Sequence, residues 1–498
     1  MKLNPNFRTN FIYTIALLHI VLFTYAAVSK TFDFQSFQIQ IGQSPLLSAF
    51  AASVSYGVPI VEFGLVILLM YPKYRLYGLY GSFLLMTMFT TYIYIILNFS
   101  SFTPCSCGGI LEQMTWTQHL IFNIIFIFLS GIAVIMQSKT KFVYGFLIIL
   151  FASGISIITV LFLLSEDIIQ HRNNFVRRLP EQINKVYDTD LNFNSYYFAG
   201  VANGKIYLGN ITSPLLLTEI DTTLKTKKEI VVKINNRNLH FRALQIQVQS
   251  KFFFVSDGTV PAVFRGETNK WFAKHIPAKS NFFVNPVFTD SASIAYRTRK
   301  ADGESILGTT YFGKQVNSNV NPSLLKKQID GIFDTDGYLM FDCSINKIVY
   351  IYYYRNEIIV TDPKLNLAFR GKTIDTISKA QIKVVYNTDT NERKLAAPPL
   401  IVNKNACVYN GLLFVQSALM GKFEDAKMWK QTSMIDVYDI QTNRYIVSFY
   451  VYHIDGKKLS SFCVSGNNFY GMIGTHLVSY KLNAMITNSY AKNKNIKI

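Results

Sequence analysis

The stretch FVYGFLIILFASGISIITVLFLL, residues 142–164, contains no charged side chain and is long enough to cross a bilayer as a helix. Hydrocarbon about 30 Å thick requires roughly 20 mainly apolar residues in a helix. Four earlier stretches have the same character, and one of them contains an acid, Glu62. They are residues 11–29, 45–70, 76–101 and 117–137. The sequence therefore predicts a transmembrane helical domain over residues 1–165, whose first helix is retained because it is too long for a signal peptide.

Charged residues are rare in this first part and common after it. Residues 1–165 hold seven Lys or Arg and three Asp or Glu, which leaves 42 basic and 27 acidic residues for the remainder. A charge-poor front and a polar, basic rear indicate a membrane part followed by a water-soluble part. The basic residues of the rear are scattered singly, without a basic helix or a cluster, so we expect no nucleic-acid partner.

The positions of Lys and Arg between the spans predict the orientation in the membrane. The N-terminus and the connections 71–75 and 138–141 each carry two basic residues, whereas the connection 99–116 carries none. Basic residues concentrate in short cytoplasmic loops. We therefore expect a cytoplasmic N-terminus, and we expect the connection 99–116 and everything after the fifth span to face outward.

The rear of the chain consists of short β-rich runs that end at turn residues. One example is Lys251-Phe-Phe-Phe-Val255, which is followed by Ser256-Asp257-Gly258. A succession of strand, turn and strand that returns every 40–60 residues is typical of propeller blades with four antiparallel strands. The strongest inner-strand candidates lie near residues 207, 254, 295, 340, 413 and 469. They predict six blades, with seven blades or a large β-sandwich as alternatives.

The expected fold class is therefore α+β and multidomain. A linker over residues 166–190 would join the helical bundle to an all-β, propeller-like periplasmic domain over residues 191–498. Propellers are scaffolds whose functions reside in loops and the central channel, so binding is the expected role of this domain.

The connection between the third and fourth spans contains Pro104-Cys105-Ser106-Cys107-Gly108-Gly109. A disulfide between Cys105 and Cys107 would close a small, strained ring, and strained disulfides exchange readily with thiols. Two alternatives remain. The cysteines are unpaired and partly buried, or they bind a soft metal such as Cu(I) with His119 and Met114.

His119 and Glu62 are two further candidates for the same site. Glu112, Trp116 and His119 are spaced to share one face of a helix. His119 would tune a neighbouring thiol or relay a proton, or else anchor the helix end at the membrane interface. Glu62 is an acid within a span, and such acids usually face the bundle interior with a partner. His19 is a plausible partner, and a simple helix-packing contact is the alternative.

The remaining cysteines, Cys343, Cys407 and Cys463, lie in strand-like runs of the rear domain, and buried free cysteine is the expectation for all three. The total of five is odd, so at least one thiol stays free or pairs between chains. The chain has no nucleotide, haem or flavin signature. We expect no bound cofactor and no metal site, with quinone and Cu(I) left open.

The first part of the chain resembles the MauE/DoxX group of redox-associated bacterial membrane proteins, which share a four-helix transmembrane core. The resemblance covers about residues 10–137. It rests on three motifs: Val28-Ser29-Lys30 with Asp33 and Phe37, Pro59-Ile-Val-Glu62-Phe-Gly64, and Cys105-Ser-Cys107-Gly-Gly109 with Trp116 and His119.

The resemblance implies periplasmic thiol–disulfide chemistry in the maturation of exported proteins, alongside a thioredoxin-like partner. Cys105 and Cys107 would be the redox pair, and Glu62 and His119 would support them. The fifth span and the β-domain are departures from the family.

Our hypothesis is a thiol–disulfide oxidoreductase accessory in the bilayer, whose propeller binds an exported or periplasmic client. The alternative hypothesis is a non-catalytic, membrane-anchored component of an envelope or export complex, whose propeller docks partner proteins.

Overall fold

The computed structural model of the protein contains two compact units. It describes residues 5–34, 37–38, 41, 50–99, 114–138, 140, 142–169, 174–178, 183–236, 239–276, 282–313, 315–387 and 392–491. The first unit is Met1–His171 with Ile382–Pro399, and the second is Arg172–Gln381 with Leu400–Ile498.

The first unit is built from long apolar helices. They are α1 (Pro5–Phe32), α2 (Ala51–Met70), α3 (Arg75–Phe99), α4 (Trp116–Gln137) and α5 (Val143–Ile169). All five are long and apolar enough to cross a membrane. Large apolar side chains such as Phe128 and Ile148 remain exposed on them, as expected where lipid is the solvent. The prediction of five membrane-capable helices is confirmed within the part of the chain that the structure describes.

Close packing between α2 and α3 depends on two glycines of α3. A β-carbon on Gly78 would lie 2.9 Å from the Leu69 side chain, and one on Gly81 would lie 2.4 Å from the Leu65 side chain. Small residues allow helices in a membrane to approach closely, where dispersion contacts replace the hydrophobic effect. Leu69 and Leu79 are fully buried in the resulting core.

The second unit is a propeller of six sheets. Strand β1 (Asn184–Asp190) precedes the first complete blade. The first blade is β2 (Tyr196–Ala202), β3 (Lys205–Asn210), β4 (Leu216–Asp221) and β5 (Lys227–Val231). The second blade is β6 (Lys233–Ile234), β7 (Gln245–Gln249), β8 (Phe252–Asp257), β9 (Ala262–Glu267) and β10 (Phe272–His275). The third blade is β11 (Val284–Phe288), β12 (Ser293–Arg299), β13 (Ser305–Phe312) and β14 (Val316–Asn321).

The remaining strands complete the ring. The fourth blade is β15 (Gly337–Asp342), β16 (Lys347–Tyr352), β17 (Glu357–Thr361) and β18 (Leu367–Lys372). A separate hairpin of β19 (Val384–Asn387) and β20 (Glu392–Leu395), which belongs to the first unit, follows in the sequence. The fifth blade is β21 (Asn403–Tyr409), β22 (Leu412–Ser417), β23 (Thr432–Asp439) and β24 (Arg444–Tyr452). The sixth contains β25 (Leu459–Ser465), β26 (Asn468–Ile473) and β27 (His476–Lys481). Two short helices, α6 (Ala426–Gln431) and α7 (Ala484–Thr487), lie beside these strands in the sequence.

The sixth blade takes its fourth strand from the start of the domain. Strand β1 pairs antiparallel with β27, in a register that sets Asp190 opposite His476 and Asn184 opposite Lys481. A ring joined in this way leaves no open edge between its first and last blades. The predicted all-β architecture with six blades is confirmed for the described residues.

The central strands of the fifth blade are buried along almost their whole length. Every residue of β22 is buried, and so are the first seven residues of β23. This burial on both faces is expected where a blade packs against a neighbour on each side.

Candidate functional site

A cavity of about 450 Å³ lies within the helical unit. Its walls come from the second halves of α1 and α3, the first halves of α2 and α4, and the last part of α5. Most of the lining is aliphatic or aromatic. The charged and strongly polar side chains in the lining are Lys30, Glu62, His119 and Asn123.

Glu62 forms an ion pair with Lys30 inside this unit. Its side chain is fully buried, and its Oε1 accepts a hydrogen bond from Lys30 Nζ. The ammonium group also lies over two aromatic rings, 5.7 Å from the centroid of Phe37 and 5.4 Å from that of Phe89. Removing either charge would leave the other without its counter-ion in a low-dielectric setting, which is costly.

The predicted pairing of Glu62 with His19 is wrong. His19 is fully buried, and its Nδ1 donates a hydrogen bond of 2.9 Å to the carbonyl of Ile15. Its ring packs against Phe126, with centroids 5.0 Å apart. Lys30 lies eleven residues farther along α1, about 16 Å at 1.5 Å per residue. Lys30 therefore forms the ion pair with Glu62, whereas His19 is a core residue.

The two polar groups of α4 come from its first two turns. The helix begins with a capping box, in which Gln118 N donates to Thr115 Oγ1 (3.3 Å) and Thr115 N donates to Gln118 Oε1 (2.8 Å). This start directs His119 and Asn123, one turn apart, into the cavity lining. The structure thus brings Glu62 and His119, both chosen from the sequence, to one cavity.

Cys105, Cys107 and Glu112 lie outside the described residues. Their segment connects the end of α3 with the start of α4. The cavity is lined by the middle of α3, from Leu84 to Ile93, and by the N-terminal half of α4.

Sequence reasoning missed Lys30 and Asn123 as members of this site. Lys30 was taken as the first loop residue because the first span was predicted to finish at residue 29, but α1 extends to Phe32. Asn123 follows His119 by four residues within an apolar stretch, and that helical spacing was the available signal.

A second buried charge cluster lies within the propeller. The Arg177 guanidinium donates to Asp436 Oδ1 at 2.7 Å and Oδ2 at 3.0 Å, and to Glu424 Oε1 at 2.5 Å. Burial by itself lowers the pKa of Arg177, but the carboxylates of Asp436 and Glu424 outweigh this and raise the pKa above its usual value. The cation joins the segment that follows the last long helix to the fifth blade.

The three cysteines of the propeller are free among the described residues, and they differ in exposure. Cys343 is exposed, in the turn between β15 and β16, so its expected burial in a strand is wrong. Cys407 and Cys463 are partly buried in β21 and β25. Burial raises the pKa of the Cys407 thiol to about 12, so this group stays protonated and unreactive at neutral pH.

The helices and sheets define a membrane protein whose N-terminal helical part precedes a six-bladed propeller. Residues 8–136 match the family model described as "Methylamine utilisation protein MauE". The match spans α1 to α4, about a quarter of the chain, and confirms the MauE part of the resemblance. The likeness to DoxX stays a prediction. No curated protein matches the sequence.

Several solved structures resemble the propeller part. A member of the DUF4221 family from Bacteroides vulgatus has 12% identity and a TM-score of 0.39, covering 63% of this chain and 98% of that one. A catalytically inactive virginiamycin B lyase from Staphylococcus aureus, solved with quinupristin, has 9% identity and a TM-score of 0.34, with coverages of 63% and 99%. BamB from Moraxella catarrhalis has 9% identity and a TM-score of 0.30, with coverages of 63% and 98%. Because all three TM-scores are below 0.5, the propeller assignment rests on the strand order alone.

Proposed function

We propose that this protein exchanges thiols and disulfides through Cys105 and Cys107 to mature an exported client. One observation supports the proposal most. The cavity that Lys30, Glu62 and His119 line is bounded by the middle of α3, from Leu84 to Ile93, and by the start of α4, and the Cys105–Cys107 segment joins those two helices. The MauE match covers all of these residues.

The proposed exchange proceeds in two steps. A client thiolate attacks the Cys105–Cys107 disulfide, and one sulfur of the pair leaves as a thiolate. The second client thiol then attacks the mixed disulfide, so the client gains a disulfide and the pair becomes a dithiol. In this proposal His119, on the first turn of α4, accepts the thiol proton.

The proposal also assigns the protein a cellular location and gives its two parts different roles. The protein lies in a bacterial inner membrane with its N-terminus in the cytoplasm, as the Lys and Arg distribution indicates. The cysteine segment and the propeller then share the periplasmic side. The propeller holds the client, and a thioredoxin-like protein serves as a redox partner.

Cysteine-to-serine variants test this function. With Cys107→Ser, no Cys105–Cys107 disulfide can form, so a client thiolate has no disulfide to attack and the client's cysteines should stay reduced. The double variant Cys105→Ser/Cys107→Ser should leave the client's cysteines reduced. Thiol alkylation followed by mass spectrometry of exported proteins measures both results.

Cys343→Ser is the matched control, because Cys343 is an exposed free thiol of the propeller. It should leave client oxidation unchanged. Normal client oxidation in the double variant would contradict the proposed function.

A second candidate function is non-catalytic assembly of an envelope or export complex. The buried ion pairs of Arg177 favour it, because a propeller stabilised in this way suits a docking platform. In that case, partners should co-purify equally well with the wild type and with the double serine variant.

A further inference from the structure

The strand order divides the loops of the propeller between two faces. The strands of each blade are antiparallel and numbered outward from the centre. The loops between second and third strands therefore share one face with the connections from each blade to the next. We call this face the upper face, and the first strand of every blade begins there.

The first strands of neighbouring blades adjoin one another around the central channel. Tyr338 Oη of β15 donates a hydrogen bond of 3.2 Å to the carbonyl of Lys404 in β21. Asn405 Nδ2 of β21 donates one of 3.1 Å to the carbonyl of Ser460 in β25. The residues at the start of these three strands therefore lie together at the upper mouth of the channel.

Two lysines without a counter-ion lie at this mouth. Lys404 is the second residue of β21, and Lys458 directly precedes β25. Both are exposed, and neither forms an ion pair within the part of the chain that the structure describes. Partial burial and the charge of Lys458 lower the pKa of Lys404. Two cations held close together without an acid attract an anion to the space beside them.

Other cations of the upper face do have acidic partners. Lys300 and Lys327 both donate to Glu304, at 2.8 Å and 2.9 Å. Arg297 forms an ion pair with Asp336. The lack of an acid beside Lys404 and Lys458 is therefore specific to the channel mouth.

Two aromatic rings connect the channel mouth with a third cation. The rings of Tyr338 and Tyr353 pack edge to face, with centroids 4.8 Å apart, and Tyr353 N donates to the Asp336 carbonyl at 2.9 Å. Asp336 lines a cavity of about 120 Å³ together with Arg299 and Phe282. Arg299 is exposed, and its guanidinium lies 5.8 Å from the centroid of the Phe282 ring. We call Arg299, Tyr353, Tyr338, Lys404 and Lys458 the basic tract.

Exposed apolar side chains also concentrate on the upper face. They range from 38% to 76% exposed, and they are Phe193, Ile211, Phe282, Ile329, Ile401 and Phe423. In the described loops of the opposite face, the large apolar residue with comparable exposure is Met485. Apolar side chains exposed together on one side of a domain are typical of a surface that contacts another protein.

We propose that the basic tract binds an extended acidic peptide segment of a partner protein. Carboxylates of the segment pair with Lys404, Lys458 and Arg299, and its apolar side chains contact the exposed apolar residues of the upper face. The proposal rests on the proposed function in taking this partner to be the client that the propeller holds. A nucleic acid fits less well, because the two tyrosine rings pack against each other instead of presenting open faces to bases.

Fluorescence anisotropy measures this binding with the full-length protein in phosphatidylcholine nanodiscs. The probe is a fluorescein-labelled peptide of repeating Glu-Glu-Phe-Ser units. We expect saturable binding that weakens as sodium chloride is added, because salt screens exposed charges. The same peptide with Lys in place of Glu should not bind. Equal binding of the two peptides, or no binding of the acidic one, would overturn the proposal.

Two double variants with the same change in net charge locate the site. Lys404→Gln/Lys458→Gln should weaken binding about tenfold, as for two lost exposed ion pairs. Lys225→Gln/Lys364→Gln is the control, because both lysines are exposed in turns of the opposite face and have no ion pair among the described residues. The control should bind as the wild type does. Equal weakening in the two double variants would show that only net charge matters and would overturn the basic tract.

Charge reversal tests the same contact by a gain of binding. Lys404→Glu/Lys458→Glu should lose the acidic peptide and bind the Lys-containing peptide, a gain that misfolding cannot produce. If this variant unfolds at the temperature of the wild type and binds neither peptide, charge complementarity is wrong. An oligothymidine that binds the wild type more tightly than the acidic peptide would identify a nucleic acid as the ligand and overturn the peptide.

The cysteine variants separate this inference from the proposed function. Cys105→Ser/Cys107→Ser should bind the acidic peptide as the wild type does. Client oxidation that depends on the cysteines, without any binding of the peptide, overturns the inference and leaves the function standing. Peptide binding at the basic tract, together with client oxidation that is independent of the cysteines, supports the inference and overturns the proposed thiol chemistry.

Discussion

At the scale of single residues, the ion pair between Lys30 and Glu62 is the feature with the clearest energetic consequence. The Glu62 side chain is fully buried and that of Lys30 is 14% exposed. The two charges lie 32 residues apart in the chain, so no local sequence pattern joins them. The sequence could show that Glu62 needs a partner within the bundle, but its identity depends on how α1 and α2 align.

Lys30→Met should destabilise the helical unit by about 3 kcal/mol, because it leaves a buried acid without its cation. The double variant Lys30→Met/Glu62→Leu should recover most of that loss, since an apolar pair of similar size replaces the ion pair. Thermal unfolding of the purified protein in detergent measures both variants.

Lys73→Met is the control for this pair. Lys73 is exposed in the turn between α2 and α3, and its loss should change stability by less than about 0.5 kcal/mol. A double variant no more stable than Lys30→Met alone would contradict this account.

At the scale of elements, the boundaries of the helices depart most from the sequence-based expectations. The sequence predicts a first span that ends at residue 29, before Lys30, yet α1 continues through Lys30 to Phe32. Lys30 is tolerated there because its ammonium group pairs with Glu62 and lies over two aromatic rings. Arg177 was likewise placed in a linker, because nothing near it in sequence shows that Asp436 will face it.

Arg177→Met should cost the propeller about 3–5 kcal/mol, since Asp436 and Glu424 would lose their shared cation in a buried setting. Arg177→Lys should cost less but still weaken the fold, because an ammonium group cannot reproduce the two-pronged contact with Asp436. Denaturant unfolding, followed by tryptophan fluorescence, reports the differences.

The adjacent Arg178 provides the control. It is exposed and donates one hydrogen bond of 3.3 Å to the carbonyl of Ile446. Arg178→Met should cost no more than about 1 kcal/mol. Equal losses of unfolding free energy in Arg177→Met and Arg178→Met would contradict a stabilising role for the ion pair with Asp436.

At the scale of the whole molecule, the sequence predicted the succession of helices and blades better than the contacts between distant parts. Each blade repeats a local unit of strands and turns, such as the run from Lys251 to Gly258, and local patterns carry that information. Closure of the ring joins Asp190 to His476, and no local pattern contains both. The candidate site could also be predicted only in part. The sequence indicates Glu62 and His119 as polar residues in apolar helices, but the cavity that they share is formed by the packing of those helices.

The closure predicts a pH dependence at Asp188. Burial raises the pKa of this carboxyl, but its bonds to Lys185 and His476 outweigh that and lower the pKa below 3.8. A carboxyl with a lowered folded-state pKa contributes stability above its ordinary pKa and loses it as the pH falls through the folded value. The contribution should therefore be complete at neutral pH and vanish in strong acid.

Asp188→Asn measures that contribution. The difference in unfolding free energy between wild type and variant should shrink as the pH falls below about 4. Urea unfolding at a series of pH values provides the data. A difference that persists unchanged at about pH 2 would contradict the assignment.

The pairing of β1 with β27 also imposes an order on biosynthesis. Asp188 and His476 are separated by 288 residues, so at about 5–20 residues per second the partner of β1 follows roughly 15–60 s later. During that interval both the first-made strand and the growing sixth blade present unpaired edges to other chains. The nascent chain is therefore prone to aggregation until the last blade has been translated.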